Sequence, residues 1–279
     1  MIVLSDTLAL TPAPSNPLGT PIFGWRSIAE SIDATSAADG FPASNLSNPS
    51  TALRWRAAEE GSPSAPPAAD QYLTATIATP DEVDYLAIAV HNLGSGQHAV
   101  SVEGSVGGSP EWFELVSERL LANDDPVIFR FTPQVTGARL RIQPSALVVP
   151  TVPFVAVLHV GKLLVLERGT HTDHIPISLA RQTQVMNGMS ETGNYLGRVV
   201  LSESRATTFA LQHLRTEWYE QYMDPFLRAA REVPFFFAWR PQERPKEMGY
   251  CWLTGDAHPT DQFGIGTKAI SLQLSGVAV

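Results

Sequence analysis

Cysteine is nearly missing from this chain: Cys251 stands alone among 279 residues, so no intrachain disulfide can form. That excludes a disulfide-stapled secreted scaffold and favours a reducing compartment. Lysine is scarce too, at three of the 19 cationic side chains, and the formal net charge is −9. No basic run offers the clustered cations that phosphate binding needs, which excludes a nucleic-acid partner. A long uncharged apolar run is also missing. Residues 147–166 are the most apolar stretch, but Pro150, Pro153, His159 and Lys162 interrupt them. A membrane span needs ~20 largely uncharged residues, so this stretch reads as two buried strands. The first residues, Met1 to Thr7, lack the basic flank and apolar core of a signal peptide, and the expectation is cytoplasmic synthesis.

Catalytic signatures are absent as well. Gly188-Met189-Ser190-Glu191-Thr192-Gly193 is one residue too long for a nucleophile elbow. Gly264 and Gly266 lack the third glycine and the following helix of a dinucleotide loop. The paired acids Glu59-Glu60 and Asp124-Asp125 fall in loop-forming sequence, where solvation explains them. His171-Thr172-Asp173-His174 lies between Gly169 and Pro176, which argues for a loop, and no third ligand stands at motif spacing. The expectation is a non-enzyme with no cofactor and no metal.

What is present is β-structure. Residues 71–77 alternate as a half-buried strand does, and residues 83–90 are continuously apolar, as in a central strand. Further short strand-like runs follow to about residue 162, punctuated by Gly, Pro, Asn and Asp. The fold class expected is mainly β. A jelly-roll β-sandwich over residues 1–165 precedes a β-rich domain over residues 166–279 with one short, interrupted helical segment.

In the second half, residues 195–201 and 207–211 read as strands joined by a hairpin at Ser202-Glu203-Ser204-Arg205. A helical stretch runs from Thr216, an N-cap candidate, to Arg231, with Pro225 expected to end one helix and start another. In Pro234-Phe235-Phe236-Phe237-Ala238-Trp239, a strand places Phe235, Phe237 and Trp239 on one face and Phe236 and Ala238 on the other. Both faces are apolar. Either a helix and a second sheet cover them, or another subunit covers one. Phe236, Trp239 and Trp252 are the candidate assembly-interface residues.

Residues 40–56, ending in Arg54-Trp55-Arg56, together with the strands after them, resemble the opening of a discoidin-like, galactose-binding-type jelly roll. Trp55 reads as a core plug or as a ligand platform. Arg56, His91 and Asn92 are the candidate ligand-binding residues, because the last two enter a Gly-rich loop and can hydrogen-bond sugar hydroxyls, although turn chemistry also explains them. The second half, through Leu164 to Gly169, Pro176 to Arg181, Asn187 to Gly193, Asp224-Pro225-Phe226, Pro234 to Pro241 and Tyr250 to Asp256, resembles the minor or distal tail proteins of long-tailed bacteriophages. That resemblance implies a virion structural role as a homo-oligomer at the tail tip. It implies other tail proteins as partners and nothing about which sugar, if any, is bound; a host-surface glycan is a further candidate partner, while charge and hydropathy give the expectation of neither nucleic acid nor membrane insertion.

Overall fold

The computed structural model describes residues 1–5, 20–60, 65–77, 83–107, 111–170, 174–262 and 266–277. Two five-stranded sheets face each other. One runs Ile2–Leu4, Val127–Val135, Val83–His91, Phe154–Gly161, Trp55–Arg56. The other runs Ala29–Ala34, Gln71–Ile77, Gly137–Ser145, His98–Ser105, Phe113–Leu120. Neighbours are antiparallel except Ile2–Leu4, which lies parallel to Val127–Val135. Leu73, Leu86, Ile88, Val100, Phe129, Leu140 and Leu158 fill the space between the sheets. Trp55 belongs to this core, fully buried, with its indole N–H donated to the Ser36 carbonyl at 2.8 Å. It is a plug, not a platform.

The third sheet holds eight strands. Its path is Leu164–Val165, Ile22–Gly24, Phe235–Ala238, Met248–Leu253, Thr267–Gly276, Tyr195–Arg215, Arg181–Met189, and Thr260–Gln262 pairs off this path with Thr267–Gly276. Ile22–Gly24 therefore joins a sheet otherwise made by residues after 163. Phe23 anchors it, stacked on Phe226 at 4.5 Å and Phe237 at 5.0 Å, with Phe235 and Phe209 edge-on.

The apolar character of residues 83–90 has a direct cause. Leu86 and Ile88 point into the sandwich, while Tyr85, Ala87 and Ala89 point outward and are buried too. Against that outward face lie Ile22, Phe236, Ala238, Met248 and Tyr250 of the third sheet. The alanines leave room for Phe236 and Tyr250 to approach. Gly161 serves the same approach, since a Cβ there would meet the Arg26 carbonyl oxygen at 2.4 Å. Both buried tyrosine hydroxyls find acceptors across the seam: Tyr85 donates to Arg26 O at 3.1 Å and Tyr250 to Pro49 O at 3.0 Å. The other face of the third sheet is covered by the helical segment through Tyr219, Met223, Phe226 and Ala230. Phe235-Phe236-Phe237 is thus a strand buried on both sides within its own chain.

Two local expectations are corrected. Pro225 does not split the helix. Thr216–Trp218, Tyr219–Met223 and Asp224–Ala230 are continuous, and the middle segment is a π-turn in which the Asp224 N–H bonds to the Tyr219 carbonyl. Proline lacks an N–H and clashes with the carbonyl four residues back, and a widened turn accommodates both defects. Thr216 is not the N-cap; its hydroxyl donates to Gly266 O at 2.9 Å.

The second correction concerns Ser202 to Arg205. These residues form no turn and lie inside a single 21-residue strand, Tyr195–Arg215. None of them offers the φ > 0 backbone that tight hairpins need. The turn falls instead at Ser190 to Asn194, where Gly193 takes φ of 84°. From Arg205 onward the long strand pairs with Thr267–Gly276. Before Arg205 it pairs, among the described residues, only with Arg181–Met189, so among them the outer hairpin stands out as an arm. No helix of the described residues is long and apolar enough to cross a membrane.

Candidate functional site

Sheet pairing brings Arg56, His91 and Asn92 to one end of the sandwich: Arg56 lies opposite Phe154, and Val155 lies opposite His91. Each is committed to the structure. Asn92 donates to Val152 O at 2.9 Å and accepts from Phe154 N at 2.8 Å, tying its loop to the next strand. His91 is buried; its Nε2 lies 3.1 Å from Asp125 O and its Nδ1 accepts from Leu93 N at 3.2 Å. Burial lowers its pKa to about 4, with Asp124 pulling the other way. The ring is therefore neutral near pH 7, and the 3.9 Å approach to Asp124 is not an ion pair. Arg56 forms an ion pair with Glu59 three residues on. Asp124 in turn accepts from Gly94 N and Ser95 N, both at 2.9 Å. Arg56 and Asn92 are half-buried, and Arg54 is exposed, its guanidinium 4.7 Å from the Phe154 ring and 5.4 Å from the Phe41 ring.

The second set, Phe236, Trp239 and Trp252, is not brought to one surface. Phe236 is fully buried against the jelly roll, so as an assembly-interface residue it is corrected: its partner surface is within the chain. Trp239 is half-buried, donating its indole N–H to Glu247 at 2.7 Å and packing on His174. Trp252 is 37% exposed on Met248–Leu253, opposite Ser275.

His171 to Asp173 lie outside the described residues, as do Gly264 and Ile265. His174 is described, and its Nδ1 meets Thr208 O at 3.0 Å. Among the described residues no group of three or more metal-ligating side chains forms. Cys251 is buried, and desolvation pushes its thiol far above the ordinary range, so it is not poised as a nucleophile.

The feature that sequence reasoning missed is the arm. Met186, Met189, Tyr195, Leu196, Val199, Val200 and Leu201 are each more than half exposed on it. Met186 pairs with Val199 and Val185 with Val200, so successive cross-strand pairs put apolar side chains on both faces. The signal was legible as Val199-Val200-Leu201, a consecutive run that cannot keep one face polar.

Buried ionisable groups set an acid limit on this architecture. His91 and His159 both fall to about pKa 4 through burial. A base with a depressed folded pKa stabilises above its unfolded value near 6.5, and that contribution is lost as pH falls toward 4. Asp84, which accepts from Leu163 N at 2.8 Å, is raised by desolvation to about 6, so its contribution runs oppositely and is lost as pH rises through 6. Burial also lowers His98, His174 and the Met1 amine, so the bases outweigh the one acid. Unfolding midpoints in urea are expected to fall between about pH 7 and about pH 4, each histidine accounting for about 3 kcal/mol at most. His159→Phe should flatten the slope. A midpoint unchanged across that range in the native chain would contradict the burial of both rings.

No protein-family model matches the sequence, and no curated protein matches it. Among solved structures, the chain is similar to chitosan-binding module 1 derived from the chitosanase/glucanase of Paenibacillus sp. IK-5. Identity is 16% over 48% of this chain and 98% of that one, with a TM-score of 0.39. It is similar as well to the CBM32-5 module from Clostridium perfringens in complex with GalNAc-β-1,3-galactose. There identity is 13% over 49% of this chain and 99% of that one, with a TM-score of 0.39. Truncated AlyQ with CBM32 and alginate lyase domains matches at 14% identity over 71% of this chain and 50% of that one, with a TM-score of 0.39. Half of the chain resembles carbohydrate-binding jelly-roll modules of the CBM32 kind.

Proposed function

We propose that the chain is a structural subunit of a bacteriophage tail tip, assembling as a homo-oligomer around the tail axis and contacting neighbouring tail proteins. The tail assignment draws on the sequence resemblance of the second half; the observation that carries the assembly reading is the arm. A two-stranded ribbon is marginal alone in water, and one apolar on both faces gains stability only when both are covered. Its outer strand, Arg181–Met189, also presents an edge with no partner strand among the described residues, which soluble chains usually blunt with lysine or proline. Neither residue occurs in it. The buried polar groups near Arg56 and His91 fit a scaffold whose work is done by shape. On this reading the protein is a virion component assembled in the host cytoplasm. Light scattering on the purified chain should give a multiple of 30.3 kDa. A single-chain mass at every concentration would count against it.

A second reading, a carbohydrate-binding tail module contacting the host surface, draws on the jelly roll itself. Saturable binding on a glycan array by arm-deleted chains would favour that reading, since display would then not depend on assembly.

A further inference from the structure

The structure describes all five methionines of the chain, and they fall into two environments. Met223 and Met248 are buried, at 0% and 3% exposure, in the apolar clusters on the two sides of the third sheet. Met1 is half-buried against the sandwich core. Met186 and Met189 are different, at 58% and 59% exposure, and both stand on Arg181–Met189, the outer strand of the arm. Met186 lies opposite Val199 and Met189 opposite Tyr195, so each thioether belongs to an exposed apolar cross-strand pair. The remaining sulfur, Cys251, is buried, and desolvation holds it as the unreactive thiol. The sulfur atoms that a dissolved oxidant meets first are therefore those of the arm.

A peroxide oxidises a thioether by transfer of one oxygen. A sulfur lone pair attacks the peroxide, the O–O bond breaks, an S–O bond forms, and the departing hydroxide takes a proton and leaves as water. Sulfur loses two electrons and the peroxide gains them. The product is polar and chiral where the thioether was apolar and flexible. On the free arm the new oxygen faces water and leaves folding undisturbed. Beneath a partner it must shed that water, and a polar group buried without a hydrogen bond opposes association.

We propose that Met186 and Met189 form an oxidant-addressed modification site: a peroxide converts both to sulfoxides in the free chain, and the modified arm no longer associates. This rests on the reading of the arm as the assembly contact. The same geometry protects the assembled chain, because a partner lying on the arm covers both sulfurs.

The test treats the full chain with hydrogen peroxide, with peptide mass mapping and sedimentation as readouts. Met186 and Met189 should gain one oxygen each, roughly tenfold faster than Met223 and Met248. Self-association should then weaken about tenfold or more, with the circular dichroism unchanged. Methionine sulfoxide reductases with a thiol reductant should restore it. Met186→Leu combined with Met189→Leu keeps the apolar surface and should assemble whether or not peroxide is added. Oxidation of the arm no faster than of the buried methionines overturns the proposal. So does native association by the oxidised chain, or loss of association by the double-leucine chain under peroxide. Should the double-leucine chain fail to fold, the reductase step decides: recovery supports the site, and persistent loss overturns it. A native chain that stays single before any peroxide is added overturns the assembly reading and this site with it. One that associates and is unmoved by peroxide overturns the site alone.

Discussion

Met186→Glu combined with Val200→Glu should turn an assembling chain into a single-chain species while leaving its folding stability within about 1 kcal/mol. The two positions are 58% and 57% exposed, so neither charge enters the core. They sit on opposite faces of the arm, because Met186 pairs with Val199 while Val200 pairs with Val185. One glutamate therefore reaches each face without placing two like charges directly across a strand pair, which would weaken the hairpin itself. In an interface these side chains become buried, and an unpaired carboxylate there opposes association strongly. We expect self-association weakened by about 100-fold or more, read by sedimentation across a concentration series. Met186→Leu with Val200→Ile preserves the apolar surface and should leave the mass unchanged. An unaltered assembly mass in the double-glutamate chain would show that the arm is not the contact.

The sequence made the sandwich legible where local pattern and tertiary role agree. Gln71–Ile77 alternates because one face is core and the other solvent, and the strand occupies those very residues. Residues 83–90 looked central because they are buried between two partners, one of which is the third sheet. Legibility failed where the determinant was a distant neighbour. Ile22–Gly24 and Leu164–Val165 are too short to carry a period, and only the Phe23 stacking partners more than 180 residues later define the former as a strand. Pro225 was visible, and the widened turn before it answers its defects; what the sequence did not show is that core packing of Met223 and Phe226 on either side keeps the helix continuous through it. At the candidate site, His91 and Asn92 were found by position. Their chemistry turned inward because neighbouring backbone groups needed partners. His159 showed no motif at all; it matters only because two halves of the chain close over it.

Phe236→Glu should be the most damaging single change in the chain. Its ring is fully buried, 5.0 Å from Tyr250 and 5.3 Å from His159, in the seam where the jelly roll meets the third sheet. Truncation to alanine there costs about 3–5 kcal/mol through lost transfer and cavity formation. Glutamate adds the burial of a carboxylate with no cation facing it among the residues of this apolar cluster, so the total approaches the whole stability of an ordinary domain. The expected result is loss of cooperative unfolding, followed by circular dichroism, with Phe236→Leu as a mild control. Assembly mass separates this effect from the arm: Phe236→Leu should still assemble, whereas a chain with the arm charged should stay folded and not assemble. If Phe236→Glu instead unfolds at the native midpoint and loses only its association, the residue faces another subunit, and the seam described between the two halves is wrong.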